Sequence, residues 1–249
     1  MEIVIIGSGN VAYHLAKAFK ESNIQVKQLF GRNEEQLKAI SSETGFSFSS
    51  IDLSPGDLYI VAVSDASVAE VSKLITNENS LVAHTSGSLP KEVLQGNYRK
   101  ASFYPLQTFS KDKNLTYTEI PFFIEAESQS DENQLMVLAG KISDKVMKST
   151  YEKRKYIHLT AVFACNFTNH LYARAKEISD SQKIPFSYFF PLIDETTEKI
   201  HFMDPKDAQT GPAVRDDRRI LELHQELLEG ESLEIYKTIN KSIQSMYDL

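Results

Sequence analysis

Apolar positions along the first hundred residues fall into short unbroken runs separated by amphipathic stretches. Ile3, Val4, Ile5 and Ile6 make a run closed by Gly7, the pattern of a strand buried on both faces. Residues 10–21 then place Val11, Ala12, Leu15, Ala16 and Phe19 on one helical face. Residues 25–30 predict a second strand, 34–44 a helix and 47–51 a weak third strand. The strongest strand signal, Leu-Tyr-Ile-Val-Ala-Val, spans residues 58–63. A helix over 66–76, a strand over 81–84, a short helix over 89–95 and a strand over 101–104 follow. Such alternation implies βαβ units and a mostly parallel sheet with covered faces.

Residues 120–125 predict a strand, 131–143 a helix and 145–148 a short strand. Strand signals then cease. Residues 151–182 contain no Gly or Pro and predict one long helix. Further helices are predicted over 187–201, 214–228 and 232–247. This change in pattern predicts two closely packed domains, residues 1–150 and 151–249, the first doubly wound α/β and the second all-α.

Composition narrows the function classes. The 249 residues are long enough to bury a core without disulfide or metal staples. A net charge of -7 supplies no overall field for nucleic acid or an anionic membrane. One cysteine excludes a disulfide framework, and the six histidines show no ligand spacing, so no metal is expected. Cys165 reads as a small core residue. No apolar run approaches the roughly 20 residues of a membrane helix, and the N-terminus has no basic lead. A soluble cytoplasmic protein is expected.

Gly7-Ser8-Gly9-Asn10-Val11-Ala12 is Gly-x-Gly-x-x-Ala, set between a buried strand and an amphipathic helix. In that context Gly7 makes the tight turn, Gly9 admits a pyrophosphate and Ala12 lets helix and strand pack closely. The helix N-terminus offers free N–H groups to the anion, at Ser8, Gly9, Asn10 and Val11. The second strand ends Phe30-Gly31-Arg32-Asn33, without the carboxylate that reads the ribose of NAD. Arg32, with Asn33 beside it, instead suits a 2′-phosphate, which favours NADP.

Ligands of open α/β sheets lie at the carboxyl ends of the strands. Val63, Ser64 and Asp65 occupy one such end, with Asp65 either lining the cofactor or capping the next helix. His84, Thr85 and Ser86 occupy another. His84 is a candidate for proton transfer or for a structural role. Tyr104 and Gln107, at a third end, are candidates for the substrate side.

The glycine turn, His84-Thr85-Ser86-Gly87 and Pro105-Leu106-Gln107-Thr108-Phe109 together resemble a bacterial Rossmann-like family with a C-terminal helical domain of unknown function. Thr210 to Asp217 adds to the likeness, which runs over essentially the whole chain. Its members are often labelled NADP oxidoreductases, some deazaflavin-dependent. The layout is similar to prephenate, 6-phosphogluconate and 3-hydroxyacid dehydrogenases and to pyrroline-5-carboxylate reductases. One departure is Tyr104, where relatives often place histidine before Pro-Leu.

The resemblance implies a 6-phosphogluconate dehydrogenase C-terminal-like helical domain. Its long first helix would face the nicotinamide and help build a homodimer. Related dehydrogenases carry a lysine and an asparagine there; this chain has no lysine between Tyr156 and Ala175, so His158 is the available proton-transfer group, the alternative being a helix buried in a dimer interface with its polar groups satisfied locally. At about 100° per residue, His158 and Asn169 nearly align and Asn166 lies roughly 80° away. Arg215 suits an anionic substrate group. The expected function is hydride transfer between NADP and a small carbonyl, imine or hydroxy acid. The alternative is an NADP-binding sensor or partner protein without turnover.

Overall fold

A computed structural model describes residues 1–249. Its strands are β1 (Ile3–Ile6), β2 (Val26–Phe30), β3 (Phe48–Ser49), β4 (Leu58–Val61), β5 (Leu81–His84), β6 (Arg99–Pro105), β7 (Phe122–Ala126) and β8 (Val146–Lys148). Its helices are α1 (Asn10–Glu21), α2 (Glu34–Thr44), α3 (Asp65–Ser72), α4 (Gln129–Ala139), α5 (Tyr151–Ala161), α6 (Thr168–Ser181), α7 (Phe190–Lys199), α8 (Arg218–Glu226) and α9 (Gly230–Met246).

All eight strands join one sheet in the order β3-β2-β1-β4-β5-β6-β7-β8. Pairings from β3 through β6 are parallel, while β6 and β7 run antiparallel. The connection over 106–121 carries only a 3₁₀ turn at Tyr117–Glu119, so no crossover helix returns the chain to a parallel start. Alternate side chains leave the two faces of the sheet. Ile3, Ile5, Leu29 and Ile60 pack on one face with Phe19 of α1, Ile40 of α2 and Leu135 of α4. Val4, Ile6, Tyr59, Val61 and Val82 pack on the other with Val68 of α3. Burial of each large side chain contributes roughly 1.5–3 kcal/mol.

Several element boundaries differ from expectation. The helix predicted over 66–76 stops at Ser72, and 89–95 reduces to a 3₁₀ turn at Lys91–Val93 between Pro90 and Leu94. The helix expected from 214 starts at Arg218, because Asp216 adopts φ +51° and Asp217 caps the start through Ile220 N. The helix predicted over 151–182 is interrupted by a π-helical segment, Val162–Phe167. That wider winding withdraws the 100° count used to align His158 with Asn169.

The last strand ends at Lys148, and every later element is helical. By contacts the chain divides further on, into compact units Met1–Asn166 and Phe167–Leu249. The pattern change at 150 marks where strands end; the contact boundary marks where packing changes. α5 belongs to the first unit because Arg154, fully buried, ties it to β7 through Glu125. In the second unit only Ser179, Ala213 and Leu221 are buried. Cys165 is exposed, which corrects the reading of it as a core residue: it lies in the π-helical segment, none of whose side chains is buried in a single chain. No helix is long and apolar enough to cross a membrane.

Candidate functional site

The carboxyl ends of β1, β2 and β4 open into a cleft of about 1070 Å³, lined by Gly7, Ser8, Gly9, Asn10, Val11, Arg32, Asn33, Val63 and Ser64 among others. Gly7 has φ +136°, and a Cβ there would collide with the Ala62 carbonyl. Only glycine therefore lets the chain turn from β1 into α1. A Cβ on Gly9 would meet nothing within 4 Å, so its open side faces free space. Gly9 is also the N-cap of α1, with no side-chain cap and no acidic residue in the first turn. The helix thus presents uncompensated N–H groups to the cleft, the arrangement that accepts a phosphate. The Asn10 side chain is engaged elsewhere: its Nδ2 donates to the Phe109 carbonyl at 2.8 Å, leaving the backbone for a ligand.

Arg32 is exposed on the cleft wall just beyond β2. Asn33 caps α2, accepting from Gln36 N at 3.0 Å. Ser64, not Asp65, occupies the N-cap position of α3, without a side-chain cap hydrogen bond, and Asp65 opens the first turn. Thr85 and Ser86 do not line the cleft. Both are buried, and Ser86 Oγ accepts from Ser88 N and Leu89 N to shape the loop after β5.

Further along the same sheet edge, the ends of β5 and β6 meet α5. Tyr104 Oη lies 3.0 Å from His158 Nδ1. Burial pushes the Tyr104 phenol up to about 12. It therefore stays protonated at neutral pH and is able to donate to Nδ1, an arrangement in which a neutral ring carries its proton on Nε2. Gly87 backs this pair: a Cβ there would lie 2.7 Å from Tyr104 Cζ and 2.8 Å from His158 Nδ1. Below it, Arg154 donates to Glu125 Oε2 and, at 2.7 Å, to the Leu89 carbonyl. Lys91 adds a second cation to Glu125 at 2.9 Å. Burial raises the Glu125 pKa, but the hydrogen bonds from Arg154 and Lys91 outweigh it and hold the carboxyl below its ordinary value.

Of the two roles expected for His84, its surroundings favour the structural one. It is fully buried, and its Nδ1 accepts from Ser86 N at 3.1 Å. Burial, then the charge of Arg154, lowers its pKa to about 4. A neutral ring sealed from solvent braces the loop and does not reach a substrate. Gln107 is exposed and accepts from the Thr108 backbone. Asn166, Asn169 and Arg215 are all exposed. Arg154 and Glu125 were not anticipated. Arg154 sits in Glu152-Lys153-Arg154-Lys155, which reads as a solvated helix face, and only the neighbouring carboxylate reveals a buried cation.

Residues 120–243 match the model of a domain of unknown function, DUF2520. No curated protein matches the chain. Among solved structures, a Bacteroides fragilis protein assigned as an NADP oxidoreductase is 39% identical over 98% of both chains, with a TM-score of 0.93. A reductive aminase of Aspergillus terreus, solved with NADPH, shares the fold at 12% identity over 99% and 98% of the chains, TM-score 0.70. The 1-pyrroline-5-carboxylate reductase of Streptococcus pyogenes does so at 13% identity over 98% of both, TM-score 0.66. A sheet in the Rossmann order that ends in an uncapped glycine turn, joined to near-complete alignment at this identity, places the chain in the family of the Bacteroides fragilis protein.

Proposed function

We propose that this chain is an NADP-dependent oxidoreductase acting on a small carbonyl, imine or hydroxy acid. The observation that carries the reading is the uncapped N-terminus of α1 opening onto the cleft, with Arg32 at its far wall. The N–H groups of Ser8, Gly9, Asn10 and Val11 hold the pyrophosphate. Arg32 takes the 2′-phosphate through its planar fork, and Val63 and Ser64 line the approach to the nicotinamide. NADP(H), when bound, supplies or accepts the hydride. His158 transfers the accompanying proton through Nε2, while Tyr104 fixes its tautomer through Nδ1. The similarity to an assigned NADP oxidoreductase supports the same reading.

The second unit supports a homodimer. Only three of its side chains are buried, while Phe190, Leu192, Ile200, Phe202 and Leu227 stand exposed. Apolar area of this kind is covered by a second copy in obligate dimers. Light scattering on the purified protein reads this directly; a monomer refutes it.

Titration of the protein with NADPH and NADH, followed by nicotinamide fluorescence, tests the cofactor assignment. Tight NADPH and weak NADH binding supports it, and binding of neither overturns it. Reduction or oxidation across a carbonyl, imine and hydroxy-acid panel then separates an enzyme from a sensor. The sensor reading draws on Tyr104, whose buried hydroxyl is already committed to His158.

A further inference from the structure

Three consecutive residues of the long β6–β7 connection are pinned to the start of α1. The Phe109 carbonyl accepts from Asn10 Nδ2 at 2.8 Å, and the Ser110 carbonyl lies 2.8 Å from His14 Nε2. Lys111 Nζ donates to the Ser8 carbonyl at 3.1 Å. The ring of Phe109 lies 5.2 Å from that of His14, and Tyr117 Oη sits 3.0 Å from His14 Nδ1. Burial lowers the pKa of His14, so its neutral ring serves both partners, donating from Nε2 and accepting at Nδ1. The strap is thereby held against the glycine turn, at Ser8, Asn10 and His14.

Of the three pinned residues, Lys111 is the one that brings a charge. The residue is half-buried, and its ammonium rests on a neutral carbonyl with the ring of Tyr13 5.8 Å away. It has no carboxylate partner. Lys17, the other cation over that ring, is instead paired with Glu43 at 3.9 Å. Asp112, next in the strap, and Glu43 are the acidic groups that bear on Tyr13, and neither forms an ion pair with Lys111. An ammonium whose protein partner is a neutral carbonyl forms a stronger, charge-assisted contact with an anion at the adjacent N–H groups of α1.

We propose that Lys111 is a cofactor-binding residue, its ammonium neutralising the pyrophosphate of the dinucleotide at the Gly7–Val11 turn. The proposal rests on the dinucleotide reading of the cleft. It divides recognition between two cations on separate segments: Arg32 discriminates the 2′-phosphate, and Lys111 serves the pyrophosphate common to NADPH and NADH.

Titration of wild type, Lys111→Met and Lys111→Arg with NADPH and NADH, with near-UV circular dichroism as a check on folding, tests this. Lys111→Met should raise the dissociation constants of both dinucleotides by the same factor, about tenfold, equivalent to about 1.4 kcal/mol. The deficit should shrink at high salt, because screening weakens the charge pair in wild type. Lys111→Arg should retain most of the affinity. Adenosine 2′-monophosphate, which has no pyrophosphate, should bind all three proteins alike. An unchanged dissociation constant in Lys111→Met overturns the proposal. So does a loss that neither arginine restores nor salt diminishes, since Lys111 would then merely anchor the strap. Failure of wild type to bind either dinucleotide is a separate result that overturns the cofactor reading together with this one.

Discussion

Gly87 offers the sharpest test of the Tyr104–His158 pair. In Gly87→Ala the added methyl would lie 2.7 Å from Tyr104 Cζ, 2.8 Å from His158 Nδ1 and 2.9 Å from His158 Cβ. These contacts are well inside the ordinary van der Waals distance of about 3.5–4.0 Å, so at least one ring must move. Gly87 does not require a positive φ, so the effect comes from crowding and not from the backbone. Neither ring yields freely. Tyr104 is buried in β6 opposite Phe123 of β7, and His158 lies one turn beyond Arg154, which is fixed to Glu125 and Leu89. Forced repacking of this sort costs about 1–3 kcal/mol. For a chain of this size we expect the melting temperature to fall by about 2–4 °C per kcal/mol. The same displacement stretches the 3.0 Å Tyr104–His158 bond, so turnover should fall while NADPH binding at the separate glycine turn is retained. Differential scanning calorimetry and fluorescence titration read the two effects. A variant with wild-type stability and wild-type turnover would refute the claim that Gly87 seats the pair.

Other expectations follow from the same network and from the cleft. The pKa of His84 falls from 6.5 to about 4 on folding, because burial and the Arg154 charge disfavour its protonated form. The unfolded chain then binds the proton more readily. The contribution, about 3 kcal/mol, is present above pH 6.5 and lost as pH falls towards 4; His84→Asn should flatten urea midpoints across that window. Arg154→Met removes one partner of Glu125 while Lys91 remains at 2.9 Å, so we expect a loss near the low end of the range for broken buried pairs, about 3 kcal/mol by urea denaturation. Wild-type stability in that variant would show that the pair carries no net weight. Arg32→Glu should abolish any preference for NADPH over NADH in fluorescence titrations, and an unchanged ratio would remove Arg32 from the 2′-phosphate site.

The order of strands and helices was legible because short-range patterning carries it. An all-apolar run such as Ile3–Ile6 has few alternatives to a strand buried on both faces, and Gly-x-Gly-x-x-Ala after it constrains the turn. The cleft residues Gly7, Gly9, Arg32 and Ser64 were legible for the same reason, since each sits at a strand end that local sequence defines. The π-helical segment Val162–Phe167 was not, since no Gly or Pro marks it and apolar spacing alone reads through it as continuous helix. Which of its two roles His84 takes was not legible, because a strand end is exposed only if nothing covers it, and what covers it comes from elsewhere in the chain.

What the amino-acid sequence determined by itself was the alternation of elements, the glycine turn and the absence of a carboxylate at the end of β2. All of these depend on neighbours within a few residues. Only the tertiary structure decided which charges are buried and which groups share a site. Tyr104 meets His158 across 54 residues, Arg154 meets Glu125 across 29, and Lys111 meets Ser8 across 103. Contacts at such separations have no local signature. They are selected by sheet order and by the cost of leaving a buried charge or donor without a partner, and that cost exists only once the chain has folded.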